Sequence, residues 1–199
     1  MKSKIFSLAI LLLFACKSKN EPAELPILSY NYIDGKKKLY KVDDYKFINQ
    51  DGDIITSSST EGKVHTMNFF FTSCPSICPP MRIKQLEIAD TFSEEKEFKQ
   101  YSISIDYIKD TLEQLQYYSK IHNIDSRQWQ VLRATSEEQL KSIANTLKTN
   151  FKPNEDGTDF YHSSYLALID KEQYIRGFYN ILLDEEVALL KEDIKRLLD

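Results

Sequence analysis

Glycine (5) and proline (6) are scarce in these 199 residues, and 42% of the chain is hydrophobic, so collagen-like and wholly disordered chains are excluded. Cysteine is scarce too. Three are too few for a miniprotein built on disulfides. An excess of positive charge is missing: 26 Lys+Arg face 30 Asp+Glu, a net of −4. That balance argues against a nucleic-acid partner, whose phosphates demand a cationic face. No internal repeat is present, and the only low-complexity run is Ser57-Ser58-Ser59. What is there is a length that suits one domain with a real hydrophobic core, and three cysteines in informative places.

The N-terminus reads as an address. Lys2 and Lys4 precede an apolar stretch from Ile5 to Ala15. Eleven helical residues span about 16 Å, roughly half of a bilayer's hydrocarbon core, so the stretch suits a signal peptide rather than a membrane anchor. Leu13-Phe14-Ala15-Cys16 resembles the lipobox of bacterial lipoproteins, in which cleavage precedes a cysteine whose sulfur receives a diacylglycerol. The competing reading is an ordinary secretory signal with an incidental cysteine. The expected organisation is a lipoprotein signal peptide (1–15), a lipidated Cys16 with an extended Pro-containing tether (16–30), and one domain (31–199). The domain would then lie outside the cytoplasm, in a bacterial periplasm or its equivalent, held to the membrane by lipid.

Within the domain, Phe47 to Thr56 reads as a hairpin turned on Asp51-Gly52. Val64 to Phe71 is a nearly continuous run of β-formers, as for a strand buried on both faces. Pro79 to Phe92 follows as a helix, with Met81 or Ile83, Leu86 and Ala89 on its period and prolines suited to its first turn. Tyr101–Ile105 and Trp129–Leu132 read as strands, and Leu112–Ile121 as a helix. Ser136 to Gln139 offers a capping box for a helix carrying Leu140, Ile143, Ala144 and Leu147. Tyr165–Ile169 and Tyr174–Phe178 pair as strands, and a final helix carries Val187, Leu190, Ile194 and Leu197 on one stripe. An N-terminal hairpin followed by β-α-β-α-β-α-β-β-α predicts an α/β fold, a thioredoxin-like central sheet flanked by helices.

The chemistry centres on Cys74-Pro75-Ser76-Ile77-Cys78, between the buried strand and the helix start. Active sites of open α/β sheets gather at that edge, and a helix N-terminus favours thiolates. Residues i and i+4 of a helix have Cβ atoms about 5–6 Å apart. A disulfide wants about 3.8 Å, whereas two thiolates on one metal tolerate the wider gap. Pro75 biases Cys74 out of helical geometry, so a disulfide remains open. The spacing leans towards a soft metal. Of the three histidines, His65 lies inside the buried strand and suits packing. His122 ends a helix and suits a cap or solvent. His162 precedes a strand, in a loop that a thioredoxin-like fold packs beside the cysteines, yet position alone does not make it a ligand.

Phe69 to Met81, with its Thr-Ser-Cys-Pro-Ser-Ile-Cys-Pro core, resembles the cysteine signature of the SCO/SenC family. Ser102 to Asp106 followed by Asp110-Thr111, and Tyr161-His162-Ser163-Ser164-Tyr165 to Asp170, resemble two further blocks in the same order. The similarity runs from about Phe47 to the C-terminus. It implies a thioredoxin-like domain on the outer face of a membrane, binding one copper ion through Cys74, Cys78 and His162. It also implies a part in building the dinuclear copper centre of cytochrome c oxidase, as copper donor or as reductant of that centre's cysteines. The partner would be the oxidase's copper-bearing subunit or another copper carrier. Asn68 stands where many members carry an acidic residue. Tyr107, Leu112 and Lys171-Glu172-Gln173 replace common prolines and a Pro-Asp-Gly turn, away from the proposed ligands.

Soft thiolates select copper(I) and imidazole suits either oxidation state, although zinc would also bind such a set. Oxidising Cys74 and Cys78 removes both thiolates at once, so metal affinity is expected to be redox-gated. The rival reading is a thiol–disulfide reductase in which Cys74 and Cys78 are the redox-active pair and His162 tunes them. A peroxide-reducing enzyme would need an activating arginine beside one thiol, and no distinctive motif provides it. A purely structural disulfide suits a helix start less well than a reactive pair does.

Overall fold

The computed structural model describes residues 24–149, 151–153 and 160–199. The expected signal peptide, Cys16 and the tether as far as residue 23 lie outside them. The chain opens on a small hairpin, β1 (Tyr30–Ile33) and β2 (Lys36–Leu39), turned on Asp34 and Gly35 at φ 52° and 72°. An Asp-Gly pair at positive φ suits a turn whose twist matches its strands. A second hairpin, β3 (Lys46–Asn49) and β4 (Ile54–Thr56), matches the expected one. It leads through a single helical turn, α1 (Ser57–Thr60), into β5 (Val64–Phe70), which is buried along its whole length.

Thereafter strands and helices alternate: α2 (Cys78–Thr91), β6 (Phe98–Ser104), α3 (Leu112–Ile121), β7 (Trp129–Arg133) and α4 (Glu137–Thr146). The two-residue strands β8 (Lys152–Pro153) and β9 (Phe160–Tyr161) pair with each other, before β10 (Tyr165–Ile169), β11 (Ile175–Asn180) and α5 (Asp184–Leu198) close the chain. The main sheet has the order β11-β10-β5-β6-β7-β3-β4. Its middle, β5-β6-β7, is parallel, and the outer pairings are antiparallel. This is the expected α/β sheet flanked by helices.

One apolar cluster joins Met67, Phe69 and Phe71 to Ile103, Val131 and the helices α3 and α4 through Leu115, Leu140 and Ile143. A second joins Met81 and Ile88 of α2 to Leu166, Leu168 and Tyr179, and to Val187, Leu190 and Ile194 of α5. The expected stripe of α2 holds in part. Met81, the first of its two alternatives, is buried and Leu86 packs partly buried on the core, whereas Ile83 is 63% exposed and Gln85 and Ile88 complete the buried face. Gln85 tolerates burial because its amide donates to Asn68 Oδ1 (3.0 Å) and Ser102 Oγ (2.9 Å). At α4, Ser136 caps as expected, accepting from the Gln139 N–H (3.3 Å). The return bond of the capping box slips by one residue: Gln139 Oε1 accepts from the Thr135 N–H (2.9 Å).

Residues 24–29 carry no regular structure, but they are not loose. The Leu28 N–H donates to the Ile175 carbonyl (2.7 Å), and Ser29, fully buried, accepts from the Ile175 N–H (3.2 Å) through its hydroxyl. Arg176 reaches Glu24 (3.0 Å) and the Leu25 carbonyl, while its other arm holds the buried Asp170 (2.8 Å). This strap crosses β11 beside Ile169, which pairs with His65 near the start of β5. The cysteines follow the other end of that strand.

Candidate metal centre

The strand β5 delivers Phe71, Thr72 and the cysteine loop to one edge of the sheet. Asp110, just before α3, fixes that loop. Its carboxylate accepts from the Thr72 N–H (3.0 Å), the Thr72 hydroxyl (2.5 Å) and the Ser104 hydroxyl (2.5 Å). Burial pushes the Asp110 carboxyl up, against the pull of those three donors. The Cys74 N–H turns back to the Phe71 carbonyl (3.3 Å), so Cys74 leaves the strand in a tight turn. Cys78 opens α2, with Pro79 and Pro80 where first-turn amides have no helical partner.

Both cysteines are free and buried, and the Cys78 N–H donates to Cys74 Sγ (3.4 Å). The Cys74 thiol is held well below the ordinary range, first by a hydrogen bond from the Cys78 thiol and then by His162 and neighbouring amides, against the cost of burial. Cys78 moves the opposite way, raised by giving that hydrogen bond and by burial. The two sulfurs therefore titrate as one coupled pair, in which the first thiolate formed is stabilised by the remaining thiol.

His162 arrives from the segment between β9 and β10, and its ring meets the edge of Phe71 at 5.8 Å between centroids. Its Nε2 lies 3.4 Å from Cys78 Sγ and 3.8 Å from Cys74 Sγ. Its Nδ1 lies 3.2 Å from the Ser163 carbonyl. Metal binding requires the other tautomer from the one that donates to Cys74: with the proton on Nδ1, given to that carbonyl, the Nε2 lone pair faces the two sulfurs. The three donor atoms stand within 4.8 Å of one another, and no other cluster of three metal-ligating side chains forms among the described residues. Sulfur bonds of about 2.3 Å and a nitrogen bond of about 2.0 Å around one ion need donors about 3.5–4 Å apart. The donor set fits a metal.

The other histidines stand apart from this cluster, as expected. His65 is fully buried in β5 with its ring edge-on to Tyr101, and burial lowers its pKa to about 4. His122 is the C-cap of α3. Asn68 faces a neutral polar network beneath the cysteines: its Oδ1 accepts from Gln85 and from Ser102 Oγ (2.7 Å), and Ser102 in turn accepts from the Trp129 indole (2.9 Å). One turn beyond Cys78, Arg82 donates to the Tyr118 hydroxyl (3.2 Å). Sequence reasoning missed both Arg82 and the anchoring role of Asp110. The signal for Asp110 was in view: it stands just before the Thr111 that caps α3, in a block already singled out.

A parallel strand ending in a cysteine pair at a helix start, with a histidine from the adjoining loop, defines a thioredoxin-like protein with a Cys2His metal-binding group. The profile of the SCO1/SenC family matches residues 34–199. The SCO2-like protein of Rickettsia felis is 31% identical over 159 residues, covering 76% of this chain and 74% of its own. Arabidopsis thaliana ScoI, in a structure with copper bound, superposes at a TM-score of 0.64 with 26% identity, over 76% of this chain and 96% of its own. BsSco, a member of the Sco family of cytochrome c oxidase assembly proteins with a disulfide switch, superposes at 0.71 with 25% identity, over 80% and 94%. The chain belongs to the SCO1/SenC family.

Proposed function

We propose that this chain is an exported, lipid-anchored copper-binding protein that serves assembly of the dinuclear copper centre of cytochrome c oxidase. Cys74, Cys78 and His162 are its copper ligands. The observation that carries the reading is the convergence of two sulfurs and an imidazole nitrogen at the N-terminal end of α2. Copper bound to the related ScoI supports it. Two thiolates and one imidazole hold copper(I) well and admit copper(II) with a fourth, exchangeable donor. Such a site suits cargo that must leave again. The lipobox-like Leu13 to Cys16 supports the anchor.

The second reading is a thiol–disulfide reductase working through Cys74 and Cys78 without a required metal. The lowered Cys74 thiol favours it, and so does the disulfide switch of BsSco. The two roles share one chemistry: when the pair closes to a disulfide it releases two electrons, and both metal-binding thiolates vanish.

The deciding experiment adds copper(II), and separately copper(I) against a competing chelator, to the reduced protein and to His162→Ala. One equivalent bound with a sulfur-to-copper(II) charge-transfer band is expected in the parent. The variant should lose affinity by more than about 100-fold, since loss of a mere outer-sphere partner already costs about 10- to 100-fold, while dithiol–disulfide exchange is kept. Unchanged copper binding in His162→Ala would remove the three-ligand site. No stoichiometric copper in the parent, with rapid reduction of a disulfide substrate, would make the chain a thiol reductase.

A further inference from the structure

Among the described residues, the β1–β2 hairpin has no partner for most of its surface. Seven of its eight strand residues are exposed; Tyr30 alone is partly covered. Tyr32 is 70% exposed, Leu39 48% and Ile33 45%, so apolar side chains face water from both sides of a two-stranded ribbon. An isolated two-stranded ribbon is marginally stable in water. Its base is nevertheless fixed to the body. Lys148 donates to the Tyr30 carbonyl (2.7 Å), and the Tyr40 N–H donates to the Ser29 carbonyl (2.9 Å).

Charge is concentrated on the same ribbon. Residues 30–39 hold Lys36, Lys37 and Lys38 against Asp34, a local excess of two positive charges in a chain whose net is −4. The cross-strand register puts Lys37 opposite Tyr32 and Lys36 opposite Ile33. Each face therefore presents an amphipathic pair, a cation beside a tyrosine or an isoleucine. Tyrosine and lysine are the residues that settle at the headgroup level of a bilayer, and anionic headgroups attract clustered lysines.

Position adds a third observation. The chain reaches the hairpin directly from the strap, and Glu24 stands eight residue steps beyond Cys16. Fully extended they span at most about 28 Å. A lipid on Cys16 thus keeps the strap, and the hairpin six residues further on, close to the membrane surface.

We propose that the β1–β2 hairpin is a membrane-docking element that lays its tyrosine, aliphatic and lysine side chains on an anionic lipid surface. The inference rests on the lipid-anchor reading above. Docking there would orient the domain through the strap, which is bound at the β11 side near the start of β5, while the cysteines follow that strand's far end.

The test uses the full lipidated chain carrying Tyr32→Trp, reconstituted in vesicles of phosphatidylcholine alone or mixed with phosphatidylglycerol, with bromine on the acyl chains. The parent, whose one tryptophan, Trp129, is buried, is the reference. The new indole is expected to be quenched and blue-shifted in the anionic vesicles only. The quenching should disappear when Lys36, Lys37 and Lys38 are replaced by Gln, and at about 1 M salt, where the screening length is about 3 Å. Protein that floats with the vesicles but leaves the indole unquenched overturns the proposal and keeps the anchor; an acidic protein face as the hairpin's occupant gives that result. Quenching that ignores lipid charge, or survives the lysine substitutions, overturns the electrostatic docking. Protein that neither carries lipid nor floats overturns the anchor reading, and the proposal with it.

Discussion

His65 shows at the scale of one residue how the core constrains the pH range of the fold. Its ring is fully buried, its Nδ1 lies 3.1 Å from the Lys63 carbonyl, and its Nε2 has no hydrogen-bond partner. Burial lowers its pKa to about 4, and the ordinary value is 6.5. The unfolded chain therefore binds a proton in a range where the native one does not. The stabilisation tied to the neutral ring is complete above pH 6.5 and drains away as pH falls towards 4, by about 3 kcal/mol in all. His65→Leu should flatten this acid limb of urea midpoint against pH while leaving copper binding intact. The same residue shows what sequence could tell: membership of a buried strand marked it as packed, whereas its missing Nε2 partner depends on neighbours from three elements. Cys74 and Cys78 were legible from spacing and position, but their coupling was not, because it depends on the two sulfurs meeting across the turn.

At the scale of elements, β11 and α5 are joined by a contact that only glycine permits. A Cβ on Gly177 would sit 2.4 Å from the Tyr179 hydroxyl and 2.5 Å from its ring. That hydroxyl donates to the buried Asp193 (2.7 Å), which Arg196 also holds (2.7 Å). Gly177→Ala should displace the ring and break the bond, costing about 2–3 kcal/mol in chemical denaturation. Most elements from β5 to α5 were readable in advance from a period of 2 or 3.6 or a buried apolar run, but the two-residue strands β8 and β9 are too short to show either. The hairpin β1–β2 was not readable, because its strands read Tyr-Asn-Tyr-Ile and Lys-Lys-Lys-Leu and bury no face. On α2 the sequence found Met81 and Leu86 but not Gln85, for a related reason. A hydrophobicity pattern favours Ile83 over Gln85, yet the interior beside Asn68, Ser102 and Trp129 is polar and asks for an amide.

At the scale of the whole molecule, the strap ties the first described residues to the last strand of the sheet. Arg176 is its clasp, with Asp170 on one side and Glu24 with the Leu25 carbonyl on the other. Arg176→Ala should leave Asp170 buried without its cation and release residues 24–29. A loss of about 3–5 kcal/mol is expected, with faster protease cleavage within the strap. None of this long-range closure could be read from the sequence, where residues 16–30 look like an extended tether. Local pattern reports which segments are extended, and a partner some 150 residues away reports which of them are docked.

The order of strands in the sheet also sets a timetable for the nascent chain. The strand that leads into the cysteines, β5, lies between β6 and β10, so its second neighbour is among the last strands to be made. Cys78 precedes His162 by 84 residues. At about 5–20 residues per second of synthesis, the two thiols exist for about 4–17 s before the imidazole that completes their cluster. Until then the cysteines are a dithiol without the third member of their cluster. In a newborn chain the thiol pair therefore precedes the metal site that the proposed function assigns to it.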